Sequence, residues 1–229
     1  LNGDENERLS SLLLAMAMNE QVGGLSSLEL RLSNSATLRS GQAQLAFDAG
    51  CDLELGAEIV VGAGESSAPG EIFKGFVTGL EGVFDQDGPP EMVVLAEDAL
   101  QRARWARRTR VYEDMNLADI TREIARQHGL TPTIDGLDQD FGTQVQVNET
   151  DLGFLRRLLA RVDADVQVVG GELHAAPRSE VRRGELELTL GTELKSVRIL
   201  ADLAHQITRA TAKGWDVRAG SRLDADGSD

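Results

Sequence analysis

The sequence predicts an α+β fold that is predominantly β, with barrel-like modules and a small inserted α/β region. Three observations carry this. Alternating apolar runs fill roughly the first hundred residues. Two capped amphipathic helices occur only after Asp98. Alternation then returns toward the C-terminal part.

Residues 9–20 and 25–34 flank Gln21, Val22, Gly23 and Gly24. Leu28, Leu30 and Leu32 share one face and Glu29 and Arg31 the other, which predicts a strand pair joined by a Gly-containing turn. Residues 56–62 form a further short strand, and 65–70 a loop by composition. Residues 71–84 read as a long strand interrupted by Gly75, Gly79 and Gly82, the bends or bulges that a curved wall requires. Residues 85–90 are a turn and 92–96 a returning strand, so residues 1–97 form a first β-barrel-like module.

Residues 98–178 read as a mixed α/β region with two helices. Asn116 caps the first, Asp119 occupies its third position, and Gly129 ends it; Leu117, Ile120, Ile124 and Ala125 share its apolar face. Residues 131–137 are a short extended piece with a turn, and 143–147 a strand. Thr150 caps the second helix, with Asp151 in the first turn, where a negative charge suits the helix dipole. Leu152, Leu155, Leu158, Leu159 and Val162 form its buried stripe, while Arg156, Arg157 and Arg161 face elsewhere. Residues 165–169 and 172–176 make a hairpin about Gly170 and Gly171, where positive φ is cheap. Residues 179–216 supply the strands of a second barrel, at 185–190, 194–200 and 206–213. The polar, Asp-rich tail 217–229 is expected to be disordered or to lead toward a further domain.

The chain has 229 residues, 41% of them hydrophobic but only 4% aromatic, so its core must be built from Leu, Val, Ile and Ala. A formal net charge of −15 argues against nucleic-acid binding, which needs a positive surface to follow phosphates. The lone cysteine, Cys51, has no internal disulfide partner and reads as a small half-buried side chain. No apolar run approaches the roughly 20 residues that span a bilayer, so no stable membrane insertion is expected. Residues 11–18 are apolar but short, and Asp4, Glu5 and Glu7 precede them where a signal peptide would be positive. The first residue is Leu1, so a trimmed N-terminus is expected.

Chemistry-bearing patterns are sparse. His128, His174 and His205 lack metal-ligand spacing, and His128 sits where an imidazole suits a helix C-terminus. There is no G-x-S-x-G elbow or P-loop, and Gly62-Ala63-Gly64 lacks the third glycine and following helix of a dinucleotide fingerprint. Acidic pairs such as Glu97-Asp98 or Asp163 and Asp165 are ordinary at this composition. The expectation is a non-enzyme with no catalytic residues, cofactor or metal. Arg102, Arg104, Arg107, Arg108 and Arg110 stand out in so acidic a chain. They read as a solvated basic strip, as a docking strip for an acidic neighbouring subunit, or, least favoured, as a nucleic-acid site. Trp105 inside the strip either packs on the core or anchors an interface. These six residues are the candidate interface set.

Four segments carry a family resemblance. Residues 146–158, from Gln146 through Asn148, Thr150, Asp151 and Phe154 to Leu158, resemble the "QxNxTDxxFLxRL" segment of the hub proteins of contractile injection systems. That family comprises the phage late control D proteins, the VgrG spikes of type VI secretion and their extracellular relatives. Residues 97–112 resemble its "xYDRLHRLRRGRRTRTF" run, with Glu97-Asp98 in place of Tyr-Asp, and residues 113–120 its "xNMTDSDI" element. Residues 72–78 are similar to "xFxGxVT", and residues 213–216, Lys-Gly-Trp-Asp, to the closing "RGWD", with residues 188–194 like the preceding "LTxGxxL" strand.

Spanning residues 9–216, the resemblance implies a homotrimeric baseplate hub. Two barrel modules per subunit would form a pseudo-sixfold ring between the inner tail tube protein and a trimeric spike domain or spike-tip protein, beside other baseplate proteins. It implies a hub region whose spike portion is missing, with 217–229 leading toward it. It also implies cytoplasmic assembly into a phage tail-like particle, be it virion, secretion apparatus or released extracellular injector. The alternatives are the hub of a non-contractile phage tail, or a cell-wall-active enzyme on a hub-like fold.

Overall fold

The fold is seen in a computed structural model that describes residues 1–3, 5–21, 23–37, 43–47, 53–64, 70–180, 187–192, 194–201 and 209–228. Cys51, His205 and most of the 65–70 loop lie outside the described residues. In chain order the elements are α1 (Glu7–Leu12), β1 (Leu13–Asn19), β2 (Ser27–Ser33), β3 (Ser35–Thr37), β4 (Ala43–Leu45), β5 (Glu58–Ala63), β6 (Gly70–Val83) and β7 (Glu91–Glu97). A 3-10 turn, Ala99–Arg104, leads to β8 (Arg107–Tyr112), α2 (Leu117–Gln127), β9 (Thr131–Ile134), β10 (Gln144–Thr150) and α3 (Asp151–Leu159). A second 3-10 turn, Ala160–Val162, precedes β11 (Ala164–Val169), β12 (Glu172–Pro177), β13 (Arg209–Asp216) and β14 (Ser221–Ser228). The predominantly β, α+β class read from the sequence is the class observed.

The chain forms two compact units, Leu1–Arg182 and Arg183–Asp229. In the first, a curled antiparallel sheet runs in the order β1-β2-β7-β6-β5. Alternation along its strands buries Leu28, Leu30 and Leu32 of β2, Ile59 of β5, Phe73 and Val77 of β6, and Val94 and Ala96 of β7 on one face. The sequence placed residues 9–20 in one strand. Instead Asn6 caps α1 by accepting from Leu9 N at 3.0 Å, and the strand begins only at Leu13. All seven residues of β1 are exposed at the sheet edge.

Of the three glycines inside β6, Gly75, Gly79 and Gly82, the first is fixed by close approach. A Cβ there would lie 2.3 Å from the Glu97 carbonyl oxygen, a backbone atom with no room to retreat. At Gly79 a Cβ would meet the flexible Leu95 side chain, 3.2 Å away at its nearest. The β6–β7 ladder shifts register between Val77 and Gly79, which gives the bend that the glycines foretold.

The α/β region packs β10 against β8, and β11-β12-β9 as a second small sheet. The 131–137 segment yields β9, which pairs parallel to β12. Leu117, Ile120 and Ile124 of α2 and Leu152, Phe154, Leu155 and Leu158 of α3 meet in its core, where Tyr112 stacks on Phe154 at 5.3 Å between centroids. The expected boundary at residue 97 is a change of texture, not a break in packing. Asp98, 1% exposed, accepts from Ser26 N at 2.6 Å and Leu100 N at 2.9 Å, and its own N–H donates to the Ser26 carbonyl at 3.0 Å. Arg156 on α3 donates to the Gly23 and Gly24 carbonyls at 2.6 and 2.9 Å, and Gly23 N donates to Asp165 Oδ1 at 2.7 Å. The β1–β2 turn is thereby clasped to the α/β region.

The second unit holds the β13–β14 hairpin, in register from Arg209 opposite Ser228 to Asp216 opposite Ser221. The tail 217–229 was expected to be disordered or to lead onward, yet Ser221–Ser228 is a strand. Its acidic residues are useful in the ladder: Thr211 Oγ1 donates to Asp226 at 2.8 Å, and Arg209 lies 3.1 Å from the same carboxylate. Of the other strands expected in 179–216, the described residues at 187–201 show one bridge, between Leu190 and Leu194; residues 185, 186 and 206–208 lie outside them.

Two measurements follow from these contacts. Gly75→Ala should lower unfolding free energy by about 3 kcal/mol, and Gly79→Ala by less than about 1 kcal/mol, read from urea midpoints; equal losses would contradict the close-approach argument. Burial raises the Asp98 carboxyl above its usual range, against the lowering hydrogen bonds from Ser26 and Leu100. Folded Asp98 therefore holds its proton more tightly than the unfolded chain does. That stability is full below the unfolded value and is lost as pH rises through the folded value. The stability difference between the native chain and Asp98→Asn should accordingly shrink with rising pH across that window, and a flat difference would refute it.

Candidate functional site

The 146–158 motif builds a buried polar node. Asp151, 1% exposed, opens α3 under the Thr150 cap, whose hydroxyl accepts from Gly153 N at 3.1 Å. Its Oδ1 accepts from Gln146 Nε2 at 2.9 Å, and its Oδ2 lies 2.9 Å from His128 Nε2 at the end of α2. Arg108 Nε approaches the same Oδ2 at 3.3 Å, an ionic contact without good hydrogen-bond alignment. Gln146 also donates to the Glu149 carbonyl at 3.0 Å and receives a long bond, 3.5 Å, from the Tyr112 hydroxyl. Burial pushes the Tyr112 hydroxyl up, and a hydrogen bond with Arg110 opposes this. One carboxylate thus joins α2, α3, β8 and β10.

Asn148 completes the motif. It sits at φ 47°, in the left-handed region, where the β10–β8 register shifts between Gln146 and Glu149. Asn tolerates that conformation better than most residues, which explains the residue type at this bulge. Its N–H donates to Thr109 Oγ1 at 3.2 Å, and its carbonyl accepts from Arg107 at 3.1 Å. Farther along, Arg157 makes two bonds to Glu149, which hold the Glu149 carboxyl below its usual range.

The six candidate interface residues do not form one free basic strip. Arg102 and Arg104 lie on the 3-10 turn, and Arg107, Arg108 and Arg110 on β8. Arg102 covers the Phe76 ring at 3.9 Å, and Arg104 pairs with Glu97. Arg108 serves the node, and Arg110 donates to Gln127 Oε1 at 2.6 Å. Arg107 and Arg102 are exposed at the surface, while Trp105 packs on no core and is 70% exposed. Beside Trp105 an open groove of about 900 Å³ runs over the sheet, with Met18, Leu55 and Leu95 among its apolar lining and Glu97 and Arg104 among its charged lining. Sequence reasoning had no signal for this groove, because it gathers residues from strands far apart in the chain. Among the described residues no cluster of three or more His, Cys, Asp or Glu could hold a metal, and no helix is long and apolar enough to cross a membrane.

A family model described as the Alg8 N-terminal domain matches residues 27–229, and the chain belongs to that family. No curated protein matches it. Solved structures share its fold. The 43 kDa tail protein of prophage MuSo2 from Shewanella oneidensis superposes with a TM-score of 0.61 at 15% identity, over 90% of this chain and 60% of that one. An E. coli protein described as a type VI secretion component, with structural similarity to the T4 bacteriophage tail proteins gp27 and gp5, gives 0.57 at 14%, over 90% and 53%. The prophage tail protein gp18 of Listeria monocytogenes gives 0.55 at 13%, over 93% and 59%. The chain therefore spans less than two thirds of the length of these structures. Its fold is a phage-tail type shared with a type VI secretion component.

Asn148→Ala should cost about 1 kcal/mol, and Asn148→Gly close to nothing, in denaturant titrations. Identical costs for the two substitutions would remove the backbone explanation of the motif.

Proposed function

We propose that this chain is the structural central hub of the baseplate of a contractile, phage tail-like injection system. It joins the hexameric inner tube to the trimeric puncturing spike, as a homotrimer among other baseplate proteins. The observation that carries this reading is the fold match over 90% of the chain to tail proteins and to a type VI secretion component. The ordered motifs at residues 72–78, 97–120, 146–158 and 213–216 support the same reading. A rigid scaffold also suits it: Asp151 is spent on His128, Gln146 and Arg108, which leaves the node committed to holding four elements together. In this role no bond is made or broken. The particle assembles in the cytoplasm.

The test is to mix the chain with an inner tube protein from the same source and to examine the product by size exclusion and negative-stain electron microscopy. The expected outcome is a stable complex in which the chain caps one end of the tube. Tube protein that polymerises normally while the chain elutes alone would overturn the hub reading. Clearing of a cell-wall suspension by the chain would favour the enzyme alternative instead.

A further inference from the structure

The two ends of β7 carry complementary surfaces. At one end, the β6–β7 turn presents Phe84, 64% exposed, followed by Asp85 and Asp87. Glu81, Asp85, Asp87 and Glu91 occupy residues 81–91 with no Lys or Arg among them. Glu91 is engaged by Arg31 at 3.2 Å; Glu81, Asp85 and Asp87 hold no ion pair among the described residues. The Phe84 ring is held against the backbone at Gly82, where an added Cβ would come within 2.9 Å of it. At the other end lie Trp105, 70% exposed, and the groove that it borders. Residues 99–112 hold five arginines and no acid. Arg102 and Arg107, on either side of Trp105, are exposed and hold no ion pair among the described residues.

The seven residues of β7, at about 3.3 Å each, set these ends roughly 20 Å apart. One strand therefore separates an acidic tip with an exposed Phe from an arginine-rich turn with an exposed Trp and a groove of mixed lining, apolar at Met18, Leu55 and Leu95 and charged at Glu29, Glu97 and Arg104. The acidic tip cannot reach the arginine-rich turn of its own chain. We propose that the Phe84–Asp87 tip of one copy docks into the Trp105 groove of a second copy, with Phe84 against Met18, Leu95 and Trp105, and Asp85 and Asp87 beside Arg102 and Arg107. Such a contact is heterologous, joining different patches of like subunits, and it generates a ring when the rotation closes. Opposite charge sets its register, and the buried aromatic pair supplies its anchor. It gives the homotrimer of the hub reading its contact surfaces, and rests on that reading only for ring closure.

The experiment is sedimentation equilibrium on the full chain and three variants. These are Asp85→Lys with Asp87→Lys, Arg102→Glu with Arg107→Glu, and all four changes together, with melting temperatures as fold controls. The native chain should self-associate, each charge reversal should raise the dissociation constant at least about tenfold, and the fourfold variant should recover most of it. A native chain that stays monomeric, reversals without effect, or a fourfold variant as dissociated as the pairs would each overturn the docking. A second readout does not depend on reversed charges. Gln86→Cys with Ala106→Cys, exposed positions beside the two aromatic anchors that leave both in place, in a Cys51→Ser background, should give intermolecular disulfides under mild oxidation, and their absence counts against the proposal. A monomer that still caps tubes defeats this docking alone, whereas an oligomer with the expected charge dependence that never caps a tube defeats the hub reading alone.

Discussion

The buried carboxylate of Asp98 is the constraint on which the first unit depends. It binds the backbone N–H groups of Ser26 and Leu100, where β2 begins, β7 ends and the following 3-10 turn starts. Burial of the carboxyl is costly, and the two backbone donors that its oxygens accept from offset part of that cost. The result fixes the direction in which the chain leaves the sheet. The 3-10 turn then carries Arg102 over Phe76 and projects Trp105 beside the groove. The clasp of Arg156 and Asp165 on Gly23 and Gly24 holds the β1–β2 turn, which leads into that same end of β2, to the α/β region. Sheet and helices are joined by directional polar bonds as well as by apolar packing.

The side chains of the segment richest in family resemblance are engaged in holding the fold. Gln146, Asn148, Thr150 and Asp151 each answer a backbone or burial requirement: a ladder partner for a carboxylate, a left-handed bulge, a helix cap and a node of four elements. Gly75 has the same character, because the Glu97 carbonyl leaves no space for a side chain. Residues that a motif search would offer as functional are here the ones that let two strands and two helices meet. The proposed docking surface instead uses side chains left exposed by the fold, above all Trp105 and Phe84.

Much of the fold was legible because its signals are local. Alternation placed the buried leucines of β2, and Asn116 and Thr150 marked both helix starts, where each side chain satisfies a backbone N–H within three residues. The glycine pair at residues 170 and 171 located the β11–β12 turn, with φ of 58° and 92°. What failed was nonlocal. Helix α1 occupies part of an apolar run that read as strand, and β9 joins its sheet through a parallel pairing with β12. The acidic tail became a strand because β13 offers it cross-strand partners, and composition carries no record of a partner.

The arginine run shows the division most clearly. Its sequence determined a positive charge density of five in fourteen residues and an aromatic residue within it. Tertiary structure alone decided which charges stay available. Arg108 is drawn to the buried Asp151 and Arg104 to Glu97, while Arg102 and Arg107 remain at the surface around Trp105. Local pattern is written in spacing along the chain, since helix periods, strand alternation and caps act over a few residues. The fate of a charge depends on which distant carboxylate the fold brings within about 4 Å, and that distance exists only once the chain has packed.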